Sequence, residues 1–153
     1  MARMEDVDRF MRDELIALEC PEFESTPWVE APKLAESRVA VISTAGLQRR
    51  GDRPFDLGAA DYRVILGETA AEDLVMSHVS SNFDRAGYQQ DMNVCFPIDR
   101  LNELAAGGVI GSVAKYHYSF MGATAPKDME ASTRQLAGLL KADDVNAVLL
   151  IPI

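Results

Sequence analysis

The sequence predicts an α/β fold, a mostly parallel sheet with helices packed on it, apparently truncated after a core strand. Three observations predict it. β-branched apolar runs alternate with segments of helical period. The strand runs show little polar alternation, as strands covered on both faces do. The last seven residues, "AVLLIPI" (147–153), are one more such run, and no turn or covering helix follows them. A chain of 153 residues with 48% hydrophobic content can bury one ordinary core.

Taken in order, residues 5 to 18 place Val7, Phe10, Met11, Leu15 and Leu18 on one apolar helical stripe, which predicts a docking helix. Cys20-Pro21 ends it. "CPEFESTPWVEAPKLAES" then reads as an extended, proline-rich linker with Phe23 and Trp28 as packing anchors. The predicted organisation is therefore an N-terminal helix and Pro-rich arm, 1–37, and an α/β domain, 38–153, incomplete if the last strand lacks its cover.

Within the domain, "RVAVISTAG" (38–46) and "YRVILG" (62–67) are strands stopped by glycine, and the segment between them is a polar loop. "AAEDLVMSHVSS" fits a short helix, or a helical turn running into a strand at Leu74 to Val79; periodicity leaves both open. Pro97 early and Gly107-Gly108 late bracket a helix of residues 98–106, with Leu101 and Leu104 inward. "SVAKYHYSFMG" (112–122) sets Ala114, Tyr116, Tyr118 and Phe120 on one aromatic strand face. Residues 126–143 place Met129, Thr133, Leu136, Ala137 and Leu140 on one helical face, and the terminal strand follows.

The formal charge of −9 argues against a nucleic-acid phosphate partner or an anionic membrane surface, both of which call for Lys/Arg patches. The acidic N-terminus has no apolar core of a signal peptide, and no 18-residue apolar run occurs, which predicts a cytoplasmic protein with no membrane span. Cys20 and Cys95 lie far apart without C-x-x-C or Cys/His spacing, so they predict idle thiols and no metal site. "GGVIGS" comes after a helix and before a strand, the reverse of a phosphate-cradling loop, and reads as a helix stop. Hydrolase and zinc-protease motifs are missing from the sequence.

The polar stretch "SHVSSNFDRAGYQQDMNVCFPIDRL" (77–101) supplies the candidate site-lining residues His78, Asp84, Asp91 and Asn93. His78 has the right chemistry for proton transfer near neutral pH, and equally for a structural hydrogen bond. Asp91 and Asn93 equally suit a turn.

Here an ordered set of blocks, "SH…D-x-N-x-x-FP-x-DRL…G-x-IGSVA…FMG", with "VAVISTAGL" before it and "NAVLLIPI" after it, resembles the selenoprotein B subunit family of the glycine, sarcosine and betaine reductases and of D-proline reductase. The resemblance covers roughly residues 38–153. It implies reductive cleavage of a C–N bond by a selenolate, or a thiolate in relatives, that attacks the carbon next to the nitrogen. It also implies other reductase subunits, among them a pyruvoyl-type subunit that activates the substrate, and leaves self-association open.

In that family the selenocysteine or redox cysteine, in a U-x-x-C or C-x-x-C motif, directly follows a strand like "VLLIPI". The expectation is that no catalytic residue lies in this chain, that the nucleophile belongs immediately after Ile153, and that a UGA codon read as stop accounts for the ending. The alternative is a non-catalytic α/β binding or protein-interaction module that retains the fold only.

Overall fold

The structure, a computed structural model, describes residues 3–17, 22, 24, 28–80 and 85–153. The central strand β1 (Arg38–Ser43) is built from "RVAVIS", whose β-branched side chains suit a pleated, covered surface. Along one side of β1 run two short strands in parallel, β5 (Ser112–Val113) and β6 (Tyr116–Ser119). Along the other runs β7 (Ala147–Ile151), parallel and in register from Val39↔Ala147 to Ser43↔Ile151. β3 (Arg63–Leu66) closes the sheet against β6, and it is antiparallel. A second, two-stranded sheet pairs β2 (Leu47–Arg49) with β4 (Leu74–Met76). The α/β class and the mostly parallel sheet are as the sequence predicts.

Helices cover the two faces. α3 (Ile98–Ala106) packs Ile98 and Leu101 onto a core with Val39, Val41, Leu47, Ile65 and Phe96. α4 (Glu130–Ala142) buries Leu136 against Tyr118 and Phe120 on the opposite face, with Tyr62 edge-on to Tyr118. This is the predicted aromatic face of residues 114–120. α4 ends in a Schellman motif, in which Asp144 N–H donates to the Lys141 carbonyl and Val145 N–H to the Leu140 carbonyl. The left-handed position, φ 53°, is filled by Asp144 rather than glycine. A further short helix, α2 (Ala86–Gln90), precedes α3.

The strand predicted as continuous over 112–122 is broken, and His117 explains how the gap is tolerated. Between β5 and β6, Val41 N–H finds no backbone partner and instead donates to His117 Nδ1 at 2.9 Å. The ring, fully buried, therefore serves as one rung of the ladder. Asp143 holds the break from outside: its carboxylate accepts from Lys115 N–H at 3.1 Å and pairs with Arg38 at 2.6 Å. Arg38 in turn donates to the carbonyls of Asp143 and Val113.

Several expectations are corrected. The helix predicted over 5–18 is shorter in the structure, α1 (Arg9–Ala17), and it is not docked: Phe10 is 74% and Ile16 68% exposed. Its stripe meets no core within the described residues. Trp28, 87% exposed, joins neither core cluster among the described residues; Leu18, Cys20 and Phe23 lie outside the described residues. Leu104, expected inward, is 40% exposed, because α3 turns only its Ile98–Leu101 side to the core. The loop after β1 contains β2. Residues 71–80 take the second of the two predicted alternatives, a 3-10 turn, Ala71–Asp73, running into a strand, β4, that stops at Met76 rather than Val79. β7 is an edge strand, its outer side pairing with no strand among the described residues, and it is not covered on both faces, since Val148, Leu149 and Leu150 are exposed.

Candidate functional site

In parallel sheets the C-terminal ends of the strands collect loops and helix starts that present chemistry. Here the ends of β1, β6 and β7 converge on Gly122. Gly122 N–H donates to the Thr44 carbonyl at 2.9 Å, and Thr44 N–H to the Ile151 carbonyl at 3.0 Å. The Thr44 hydroxyl accepts from Ile153 N–H at 2.8 Å and lies 3.3 Å from the Ile153 carbonyl. A Cβ built on Gly122 would stand 2.5 Å from the Ile153 carbonyl oxygen, 3.0 Å from the Thr44 carbonyl oxygen and 3.0 Å from His78 Nε2. Glycine is required there because those three polar atoms occupy the space of a side chain.

His78 reaches this point from the segment after β4. Ser77 N–H donates to the Gly46 carbonyl, and Gly46, at φ 64°, passes so close that a Cβ would sit 3.0 Å from His78 N. The imidazole is buried, and its Nδ1 accepts from Ser80 N–H at 3.1 Å. An accepting Nδ1 places the proton of the neutral ring on Nε2, the atom facing Gly122 and Ile153. Burial lowers the His78 pKa below its ordinary value, and the Arg85 guanidinium lowers it further. Arg85 is fixed in turn by donating to the His78 carbonyl at 2.9 Å and to the Ser80 carbonyl.

The other sequence candidates fall elsewhere. Asp91 Oδ1 accepts from Asn93 N–H and Nδ2, both at 2.9 Å; Asn93 Nδ2 also donates to Asp99, whose N–H returns to Asn93 Oδ1 at 3.1 Å. These side chains cap the 3-10 turn Met92–Val94 and the start of α3. The Asn93 hydrogen bonds hold the Asp91 carboxyl below its usual value. Asn93 and Asp99 also border a shallow cleft of about 180 Å³ with Gly67, Glu68, Phe96 and Ile98. Asp84 lies outside the described residues. Thr44 and Gly122 were not singled out from sequence; "ISTAG" and "SFMG", each a strand run closing on small residues, were the available signal.

Cys95 is buried beside Met92, and burial pushes its thiol up to about 11. It is a packing residue rather than a nucleophile. No cluster of metal-ligating side chains occurs among the described residues, and no described helix is long and apolar enough to cross a membrane.

A mostly parallel α/β sheet with helices on its faces, and a buried histidine beside Gly122 where its strands end, defines the class: an α/β domain with a polar cluster at the C-terminal ends of its strands. The family follows from comparison. Residues 13–152 match the family model for glycine/sarcosine/betaine reductase selenoprotein B, and the chain belongs to that family. It is 34% identical over 127 residues to D-proline reductase subunit gamma of Acetoanaerobium sticklandii, covering 80% of this chain and 52% of that protein. It is 28% identical over 138 residues to sarcosine reductase complex component B subunit beta of Peptoclostridium acidaminophilum, covering 85% and 31%. It is 27% identical over 139 residues to glycine reductase complex component B subunit gamma of Carboxydothermus hydrogenoformans, covering 87% and 32%. The chain thus spans about half the length of the first relative and about a third of the other two. No solved structure matches it. These relatives are named as subunits or components of reductase complexes.

Proposed function

We propose that this chain is the nucleophile-presenting part of a reductase subunit that takes part in reductive cleavage of a C–N bond in a small amine such as glycine, sarcosine, betaine or D-proline. The observation that carries this reading is the convergence of the Ile153 carbonyl, His78 Nε2 and the Thr44 carbonyl on Gly122. Family membership supports the reaction class, and the relatives' names support the choice of amines. A selenolate, or a cysteine thiolate, beyond β7 would supply the electron pair that displaces nitrogen from carbon.

The residues present fit such a group. Gly122 leaves the end of β7 unobstructed by a side chain, and Thr44 fixes its direction through Ile153 N–H. His78, whose pKa burial and Arg85 lower, has its Nδ1 engaged by Ser80 N–H, which leaves Nε2–H of the neutral ring as a donor toward the same spot. Partner subunits, a pyruvoyl-type one among them, belong to this reading. So does a cytoplasmic, reducing location, which keeps a thiolate or selenolate free of disulfides.

The test is a form of the chain carrying cysteine or selenocysteine after Ile153. It is expected to be alkylated by iodoacetamide at that residue and, with its partner subunits, to reduce at least one of the four amines in a dithiol-dependent way. Absence of alkylation at that residue overturns the proposal.

A further inference from the structure

The outer edge of β7 pairs with no strand among the described residues. Ile151 and Ile153 turn their backbone groups toward β1 and Thr44, so strand alternation turns those of Val148 and Leu150 to the open side. Their side chains are exposed as well, Leu150 at 67%. Leu150 also walls an apolar groove of about 250 Å³ between the sheet and α4, shared with Ile42, Phe120, Leu136 and Leu140. No charged side chain interrupts Ala147–Ile151, although edge strands that stay solvated usually carry one.

We infer that this edge and groove form a docking surface for a strand, parallel to β7, and its crossover helix, both drawn from the part of the family's length that this chain does not match. About half of D-proline reductase subunit gamma lies outside the matched region. β1, β5, β6 and β7 are already parallel, and a parallel strand is joined through a helix lying on a sheet face. The groove beside α4 offers that helix an apolar seat. Pro152, whose missing N–H falls on the open side, ends the ladder after Leu150. The inference rests on family membership alone and stands apart from the redox chemistry proposed above.

The experiment co-expresses this chain with the unmatched half of D-proline reductase subunit gamma, so that neither part must fold alone. Size-exclusion chromatography with light scattering reads the complex, and amide exchange reads Val148 and Leu150. A one-to-one complex is expected, with exchange at both amides slowed by at least about tenfold. Leu150→Pro removes only an outward N–H and should abolish the complex. Should Leu150→Pro itself melt, Leu150→Lys, which places a charge in the groove, decides instead. Val64→Lys, on the opposite edge strand β3, should leave the complex intact. The inference is overturned by no complex, by a complex that survives the Leu150 substitution, or by a dimer of this chain that alone protects both amides.

Discussion

Replacing Gly122 with alanine tests the packing at the strand ends directly. The added methyl would lie 2.5 Å from the Ile153 carbonyl oxygen, whereas ordinary contact begins near 3.4 Å, so that oxygen must retreat by roughly 0.9 Å. The Thr44 carbonyl and His78 Nε2, each at 3.0 Å, prevent the methyl from escaping the other way. Overpacking of this kind costs about 1–3 kcal/mol. Taking about 2 kcal/mol, and roughly 2–4 °C for each in a domain of this size, Gly122→Ala should lower Tm by about 4–8 °C. Scanning calorimetry measures that loss. Amide exchange at Ile153 locates it, because its N–H donates to the Thr44 hydroxyl that the shift pulls away. As a comparison, Thr44→Val removes the hydroxyl without adding bulk in the same place. It should speed exchange at Ile153 at a cost nearer 1 kcal/mol. A Gly122→Ala chain with Tm within about 1 °C of the parent and unchanged exchange at Ile153 would refute the close convergence.

Three further outcomes are expected. Burial holds the His117 pKa at about 4, against an ordinary 6.5, partly offset by the Ala114 carbonyl. The unfolded chain therefore binds more protons between those values, and stability present above pH 6.5 is lost as pH falls toward 4. Urea unfolding at pH 7 and pH 5 should show a loss of about 2 kcal/mol, and a smaller loss in His117→Asn. Asp144→Gly relieves a left-handed φ and should raise Tm by a few degrees, about 1 kcal/mol, in thermal melts. Cys95 should resist iodoacetamide at pH 8 in the folded chain and react once urea unfolds it, as peptide mass mapping would record.

How much of this was legible depended on whether a signal was local. Pro97 and Gly107 mark α3 to the residue, and the stripe of 126–143 gives α4, because caps and periodicity are written within a few positions. β2 escaped because a three-residue strand containing Gln48 and Arg49 carries no alternation to read, whereas β4 was one of two readings that periodicity left open. The break between β5 and β6 depends on His117 meeting Val41, 76 positions away, and nothing local announces it. For β7, an apolar run fixes the element, but its coverage is decided by what lies beside it. His78 stood out as one of two histidines, yet its partners Thr44 and Gly122 matter through backbone atoms and an absent side chain. Asp91 and Asn93 shared its polar neighbourhood in sequence and turned out to serve a helix start.

The pairing of β1 with β7 joins Val39 to Ala147, one of the earliest strand residues to one of the latest. During synthesis at roughly 5–20 residues per second, Val39 would wait on the order of 5–20 s before its full-length neighbour exists. Closing so long a loop also makes this contact slow to form. Throughout that interval the β7 side of β1 is unoccupied, and until residues 112–119 are made its other side is too, so the nascent chain's exposure to aggregation is set by the order in which its strands leave the ribosome.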